Sequence, residues 1–349
     1  MASISLTNFM TCLAFLSTLA LCGSQAFCRS HDGQSMMVRR HEEWMAKHGR
    51  TYKDMDEKAR RCIIFKQNVE WIDNFNTAGL DRRYTVSVNE FADLSNEEFR
   101  AMRNGYKRQT SKTTYTGSSI ATSFRYANLS DVPASVDWRQ KGAVTPIKDQ
   151  QKWCCWAFSA VASMEGINQL KTGKLISLSE QELVDCDTKG EDQGCGGGLM
   201  DNAFQFIIQN HGLTTEDNYP YKGADGTCNS NKTTAIAATI TGYEDVPAND
   251  EKALLQAVAN HPVSVAIDAD GTAFQFYSSG IFNGTCGTDL DHGVTVVGYG
   301  ADADGTKYWL VKNSWGTGWG EDGYIKMQRD IDAKEGLCGI AMEASYPTV

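Results

Sequence analysis

Three residues far apart along this chain limit its fold more than any other feature. Cys155 stands in Cys154-Cys155-Trp156-Ala157-Phe158-Ser159, His292 in Asp291-His292-Gly293-Val294, and Asn313 in Lys312-Asn313-Ser314-Trp315-Gly316. A thiol attacks only as its thiolate, and a neighbouring imidazole stabilises that thiolate and carries the proton. An amide on the far ring nitrogen fixes how the imidazole faces. Each residue alone has a plain reading: a buried small hydrophobe, a surface pair with Asp291, a turn at Asn313-Ser314. Together, in this order and with these neighbours, they point to thiol chemistry. The fold must then close the 137 residues that separate Cys155 from His292.

The pattern around them says how. After Cys155 come strong helix formers, and no proline occurs before Pro220, so a long buried helix starts at the cysteine. Ser179-Glu180-Gln181-Glu182 ahead of Leu183-Val184 is a capping box. From about Ile240 the pattern changes: Val263–Ile267, Gly293–Gly298 and Tyr308–Val311 read as strands between Gly and Asp turns. A helical half followed by a β half predicts an α+β fold of two lobes with a cleft between them. Cys155 would stand on one wall, and His292 and Asn313 on the other.

The front of the chain has a different character. An apolar run from about Phe9 to Leu21, followed by Ser24-Gln25-Ala26, marks residues 1–26 as a secretory signal peptide. The run is too short to span a bilayer, so no membrane anchor is expected. Export suits paired cysteines. Seven of the eleven cysteines lie beyond residue 131, an odd number that leaves one thiol free. Residues 1–131 carry a net charge of +4 and residues 132–349 a net charge of −14, so the two parts should attract. Nothing basic enough for nucleic acid occurs in the acidic part. Zinc on Cys154, Cys155, Cys186, Cys195 and His292 is disfavoured, because adjacent cysteines are poor ligand spacing and no C-x₂-C pair exists; no metal and no cofactor is expected.

Residues 38–78 are predicted helical, with Glu57, Arg61, Phe65, Asn68, Ile72 and Asn76 on one face. This set resembles the Glu-Arg-Phe-Asn-Ile-Asn signature of papain-like prosegments. Ser87-x-Asn89-x-Phe91-x-Asp93 resembles the accompanying Gly-x-Asn-x-Phe-x-Asp motif. Val132-Pro-Ala-Ser-Val-Asp-Trp-Arg139 resembles the family's mature amino terminus. The 137-residue separation also lies in the roughly 130–150-residue interval known for papain and cathepsins. The chain therefore resembles a plant-type papain-like cysteine protease in zymogen form, from about His41 to Val349.

The resemblance implies a papain-like two-lobe fold, helical on one side and β-barrel-like on the other, behind a helical prodomain. It implies a prosegment at 27–131 with a helical core at about 41–98, an extended linker at 107–127 and a peptidase domain at 132–349. In such proteases the prosegment runs backwards through the cleft as an inhibitor. Cys155 would be the nucleophile, His292 its proton carrier, Asn313 the orienting amide, and Gln150 the oxyanion donor, together with the Cys155 N–H. Gly197 and Gly198 match the stretch that pairs with substrate. Leu199, Met200, Ala266 and Leu290 match the apolar second subsite, with Glu343 at its base, and Asp291 is a further expected substrate-binding residue. Disulfides Cys186–Cys228 and Cys286–Cys338 are implied.

The chain departs from the family in one place. The family writes Gln-Gly-x-Cys-Gly-(Ser/Cys)-Cys-Trp, and this chain has Gln150-Gln151-Lys152-Trp153-Cys154-Cys155-Trp156, one residue shorter. Both glycines and the first cysteine are missing, which leaves Cys195 and Cys154 unpaired in this reading, unless the loop rearranges so that Cys195 captures Cys154. A protease-shaped binding or decoy protein is therefore the second reading beside the endopeptidase. Asn128, Asn231 and Asn283 begin N-glycosylation acceptors. Expected partners are protein or peptide substrates, the chain's own prosegment and cystatin-type inhibitors. The expected setting is the secretory pathway, ending outside the cell or in a vacuole or lysosome, and the expected form is a monomer.

Overall fold

The computed structural model describes residues 32–79, 82–106, 124–188, 190 and 192–349. The expected signal peptide, Cys12, Cys22, Cys28 and linker residues 107–123 lie outside them. The chain divides into two compact units: Met1–Gly79 with Val88–Ser95, and Leu80–Ser87 with Asn96–Val349.

In the first unit, helix α1 (Asp32–Lys47) precedes helix α2 (Met55–Ala78). The single run expected over 38–78 is interrupted at 48–54. Gly49 adopts a left-handed φ of +61°, which a glycine tolerates and a helix cannot continue through. Asp54 then caps α2, accepting the Glu57 N–H at 2.8 Å. The signature residues hold the irregular stretch 89–94 against α2. Phe65 and Ile72 are buried, the Arg61 guanidinium donates to Asp93 O at 2.8 Å, and Asn68 Nδ2 donates to Ala92 O and Leu94 O at 2.8 and 2.9 Å. Trp44 Nε1 donates to Asn89 O at 2.8 Å. A loop whose carbonyls would otherwise be buried without donors is thus satisfied by side chains.

The second unit holds strand β1 (Tyr84–Val86), helix α3 (Asn96–Arg103), strand β2 (Val136–Asp137) and the helices α4 (Cys155–Thr172), α5 (Glu180–Cys186) and α6 (Met200–Gln209). Strand β3 (Gly242–Asp245) and helix α7 (Glu251–Val258) lead to β4 (Val263–Ile267), β5 (Tyr277–Phe282), β6 (His292–Ala301), β7 (Lys307–Lys312), β8 (Tyr324–Gln328) and β9 (Ala344–Thr348). Helix α4 is apolar on nearly every face and correspondingly buried; Trp156, Phe158, Val161 and Met164 join Leu183, Phe204 and Ile207 in one core. At α5, Ser179 Oγ accepts the Glu182 N–H at 3.0 Å, but the Glu182 carboxylate turns to Asn210 and Thr214, so only half of the expected capping box forms.

The strands make one sheet in the order β1-β5-β8-β7-β6-β4-β9-β3, with β2 on β6. The barrel-like half expected from the resemblance is an open sheet. Its ladder stops at the short strands β1 and β3, each paired on one side. The three strands read from the sequence are β4, β6 and β7. Their pairing sets the site: β4 and β7 flank β6, with Ile267 opposite His292 and Lys312 opposite Thr295.

Candidate active site

Ser159, one turn into α4, donates from Oγ to Val294 O on β6 at 2.6 Å, and Ser264 on β4 returns a bond to Ser159 O at 2.9 Å. These bonds lock the start of α4 to the start of β6, which brings Cys155 beside Gly293. Pairing of β6 with β7 delivers Asn313 to His292, whose Nε2 lies 2.8 Å from Asn313 Oδ1. That oxygen also accepts the Ser314 N–H at 2.8 Å, so it acts as an acceptor and Nε2 carries the ring proton. His292 Nδ1 is buried without a hydrogen bond and is left as the basic nitrogen. Trp315 stacks on the imidazole, centroids 4.6 Å apart, and shields the His–Asn bond from water.

Gln150 is fully buried. Ser314 Oγ donates to its Oε1 at 2.6 Å, which aims the amide nitrogen away from Ser314 and onto Arg103 O at 2.9 Å. Two of the three residues before the cysteines hold strained backbone: Gln151 has φ +56° and Trp153 φ +27°, conformations that cost about 1–3 kcal/mol each outside glycine.

The structure corrects the reading of Cys154 and Cys195, which it joins in a disulfide. Cys154 is the residue before α4 and its side chain turns into the core. The Trp156 indole donates to Gly194 O at 3.0 Å and Asp225 accepts the Cys195 N–H at 2.6 Å, which together present Cys195 to it. Cys186–Cys228 and Cys286–Cys338 are the other two disulfides. Of the seven cysteines beyond residue 131, Cys155 alone stays free; Cys62, in the first unit, is buried.

Residues 103–106 lie across this site. Arg103 O takes the Gln150 amide, and the Gly105 N–H points at the Cys155 sulfur, as do those of Gly293 and Trp156. Tyr106 N donates to Asp291 O at 3.0 Å, Gly198 N donates to Gly105 O at 3.1 Å, and Tyr106 bridges Gly198 in parallel. Asn104 Nδ2 donates to Asp291 Oδ2 at 2.6 Å. Gly198 thus meets the occupying chain, while Gly197 bonds within its own turn, to Gly194 O. Burial pushes the Cys155 thiol up to about 11 and the His292 imidazolium down to about 4, the latter aided by the nearby Arg103 charge. With 103–106 in place, burial favours the neutral forms of both thiol and imidazole.

A cavity of about 370 Å³ adjoins the site, lined by Tyr106, Leu199, Met200, Asp201, Asp245 and Glu343 among others. The Tyr106 hydroxyl donates to Glu343. Ala266 and Leu290, expected in the same pocket, belong to the buried core with Trp156 and Phe204. Asp201 and Asp245 were not anticipated; the only signal was an acid directly after Met200. Burial, then the neighbouring Asp245, raises Asp201 to about 7. Asp291 is likewise raised to about 7, chiefly by burial, with Asp268 and Asp270 adding to the shift. Oxygens of these last three acids lie within 4.8 Å of one another, and Arg100 pairs with Asp270 at 2.6 Å.

Four arginines of the basic front part pair with acids of the back part: Arg83 with Asp304, Arg100 with Asp270, Arg103 with Asp149 at 2.9 Å and Arg125 with Glu244 at 2.7 Å. Among the described residues no helix is long and apolar enough to cross a membrane.

Residues 132–348 match the model of the papain family of cysteine proteases, and residues 41–99 match the cathepsin propeptide inhibitor domain. The chain is 57 % identical over 340 residues to the senescence-specific cysteine protease SAG39 of Oryza sativa subsp. japonica, covering 96 % of this chain and 97 % of that one. It is 56 % identical over 333 residues to the senescence-specific cysteine protease SAG12 of Arabidopsis thaliana, covering 95 % of each. Among solved structures, a recombinant stem bromelain precursor superposes with a TM-score of 0.81 at 47 % identity, covering 90 % of this chain and 99 % of that one. The proform of the ragweed pollen allergen Amb a 11 gives 0.82 at 42 % identity, covering 92 % and 96 %.

Proposed function

Because this chain belongs to the papain family of cysteine proteases and carries that family's propeptide inhibitor domain, we propose a specific division of labour within its site. It is a cysteine endopeptidase made as a zymogen; the geometry supports the following roles for its residues. Cys155 is the nucleophile, His292 the proton carrier, Asn313 the orienting amide, and Gln150 with the Cys155 N–H the oxyanion donor. Once 103–106 leave, water re-enters, the Arg103 charge departs, and a proton moves from Cys155 to His292 Nδ1. The thiolate adds to a peptide carbonyl carbon, and the developing oxyanion is met by Gln150 Nε2. The C–N bond breaks as His292 protonates the leaving amine. His292 then takes a proton from water, which attacks the thioester and restores the thiol.

One observation carries this reading. The four residues 103–106 present a peptide carbonyl to Gln150 and a peptide N–H to the Cys155 sulfur, and pair with Gly198 and Asp291. A loop that serves both groups on one bound peptide has kept its two working parts despite its missing residue. The test is turnover of a peptide substrate by Cys155→Ala and Cys154→Ala. Cys155→Ala should lose at least about 10⁴-fold in kcat/KM, and Cys154→Ala should keep measurable turnover. The reverse pattern would assign the nucleophile to Cys154.

The second subsite is the cavity of Leu199, Met200 and Glu343. The prosegment is 27–131, with cleavage near Val132, where residues 133–135 are exposed. Export to the cell exterior or a vacuole follows the signal peptide. Asn128, Asn231 and Asn283 are exposed and open to glycosylation. Cystatin-type inhibitors are candidate partners of the emptied cleft, and the working unit is a single copy.

A further inference from the structure

Helix α3 ends at the active site, and the nucleophile loop finishes it. A helix leaves its last four carbonyls without intrahelical donors. Here Arg100 O receives Asn104 N at 3.2 Å. The other three go to the loop that is one residue short. The Trp153 indole N–H donates to Ala101 O, Trp153 N donates to Met102 O at 3.1 Å, and Gln150 Nε2 donates to Arg103 O at 2.9 Å. Both Trp153 donors depend on its left-handed φ of +27°, a conformation that a tryptophan holds only when its surroundings fix it. The fit is close on the other side too: a Cβ on Gly105 would fall on the Trp153 carbonyl. The indole is 37 % exposed even with α3 in place, so little besides α3 holds it.

From this we propose that the stretch Gln150–Trp153 is a receptor for the carboxyl end of an α-helix, that α3 is its occupant, and that Trp153 is the residue on which the closed state of the zymogen depends. The loop supplies three donors to three successive carbonyls, and the negative end of the helix dipole faces Gln150 Nε2, one of the two donors that would meet an oxyanion. The missing residue and the tryptophan at position 153 therefore belong together. A glycine loop could offer main-chain donors but no indole, and a residue larger than glycine at 105 would lift α3 off.

The inference rests on Cys155 being the reactive thiol, and its test uses that thiol as a probe. Wild type, Trp153→Phe and Gly105→Ala are prepared as full-length zymogens and alkylated with iodoacetamide at neutral pH. The peptide holding Cys155 is quantified by mass spectrometry, which separates it from Cys62. The same reaction is run on each protein after its prosegment has been cut and removed. Phenylalanine keeps the ring and deletes one donor, so the ratio of zymogen to processed rate should rise roughly 3- to 10-fold, the range for one net hydrogen bond. Gly105→Ala should raise it further, and its processed form is chemically identical to wild type. Unchanged ratios for both variants would overturn the proposal, as would a Trp153→Phe rate that changes equally in zymogen and processed forms. Failure of the Cys155 assignment looks different: processed wild type would then not be labelled at Cys155.

Discussion

The block around α2 and the block around α4 are both helical and both buried on a core, yet they answer acid differently. In the first, every carboxyl and imidazole with a resolved shift loses stability on acidification. His41 and His48 are held below the ordinary 6.5, mainly by burial. Folded, they resist a proton that the unfolded chain accepts, so stability falls as pH drops below about 6.5. Glu57 is held below 4.5 by its bonds to Arg61 and Arg60, and what it contributes is present above that value and lost as pH falls through its lowered one. The peptidase unit is mixed. His261 and His292, both near 4, carry the same acid-labile sign. Against them, burial raises Glu180 and Asp187 to about 8, and Asp201 and Asp291 to about 7. These carboxyls bind protons more tightly when folded, so the unit gains as pH falls from about 8 toward 4. The contrast teaches that an acid trigger needs no dedicated sensor. It is enough that, among the described groups of the inhibitory block with a resolved shift, no carboxyl is raised to offset the imidazoles.

The largest effect on this contrast should come from the covalent bonds of the α4 block. Replacing Cys154 and Cys195 together by alanine opens a loop with a sequence separation of 41, worth about 4 kcal/mol in the chain-entropy model. Denaturant unfolding of the processed enzyme should show a loss of that order, with exchange protection in α2 of the zymogen unchanged. Next comes Asn68→Ala, which strips donors from Ala92 O and Leu94 O. It should cost about 1–3 kcal/mol, seen as faster amide exchange in α2, while the processed enzyme stays untouched. If amide exchange in α4 of the Asn68→Ala zymogen sped up as much as in α2, the two blocks would not be separable. The smallest effect is His41→Asn, which removes one imidazole packed by Trp44, Tyr52 and Phe65. The pH at which α2 amides lose protection should move down by a few tenths of a unit, with α4 unaffected. A midpoint that stays put would take His41 out of the acid response.

Much of this was legible in the sequence, for identifiable reasons. The apolar run after Cys155 reads as a buried helix and the β-branched runs at 263–267 and 293–298 as strands; that Cys155, His292 and Asn313 meet follows from their order, their neighbours and the family resemblance, not from those patterns. The polar signature residues of α2 were visible as a set. Their task of satisfying the carbonyls of 89–94 was not, because a helix face does not announce which loop it serves. The break at 48–54 was available in Gly49 and Asp54 and was passed over in favour of periodicity. The Cys154–Cys195 pairing was hidden by counting loop spacings; what decides it is that the side chain before a helix turns to the opposite side from its successor. The role of Arg103 to Tyr106 had no local signal at all, since a short polar stretch after a helix resembles any linker until its neighbours in space are known.

If the prosegment keeps Cys155 as a neutral thiol, its removal permits the ion pair with His292. The pH dependence of Cys155 alkylation reads this directly, measured in the full-length zymogen and in the processed enzyme. In the zymogen the thiolate should stay suppressed across the neutral range, in line with a thiol pushed up to about 11. After processing, the inflection should fall by several units, because Arg103 no longer opposes the imidazolium and water reaches the site. An inflection at the same pH in both forms would contradict the account, since the prosegment would then block access without altering the chemistry of the thiol.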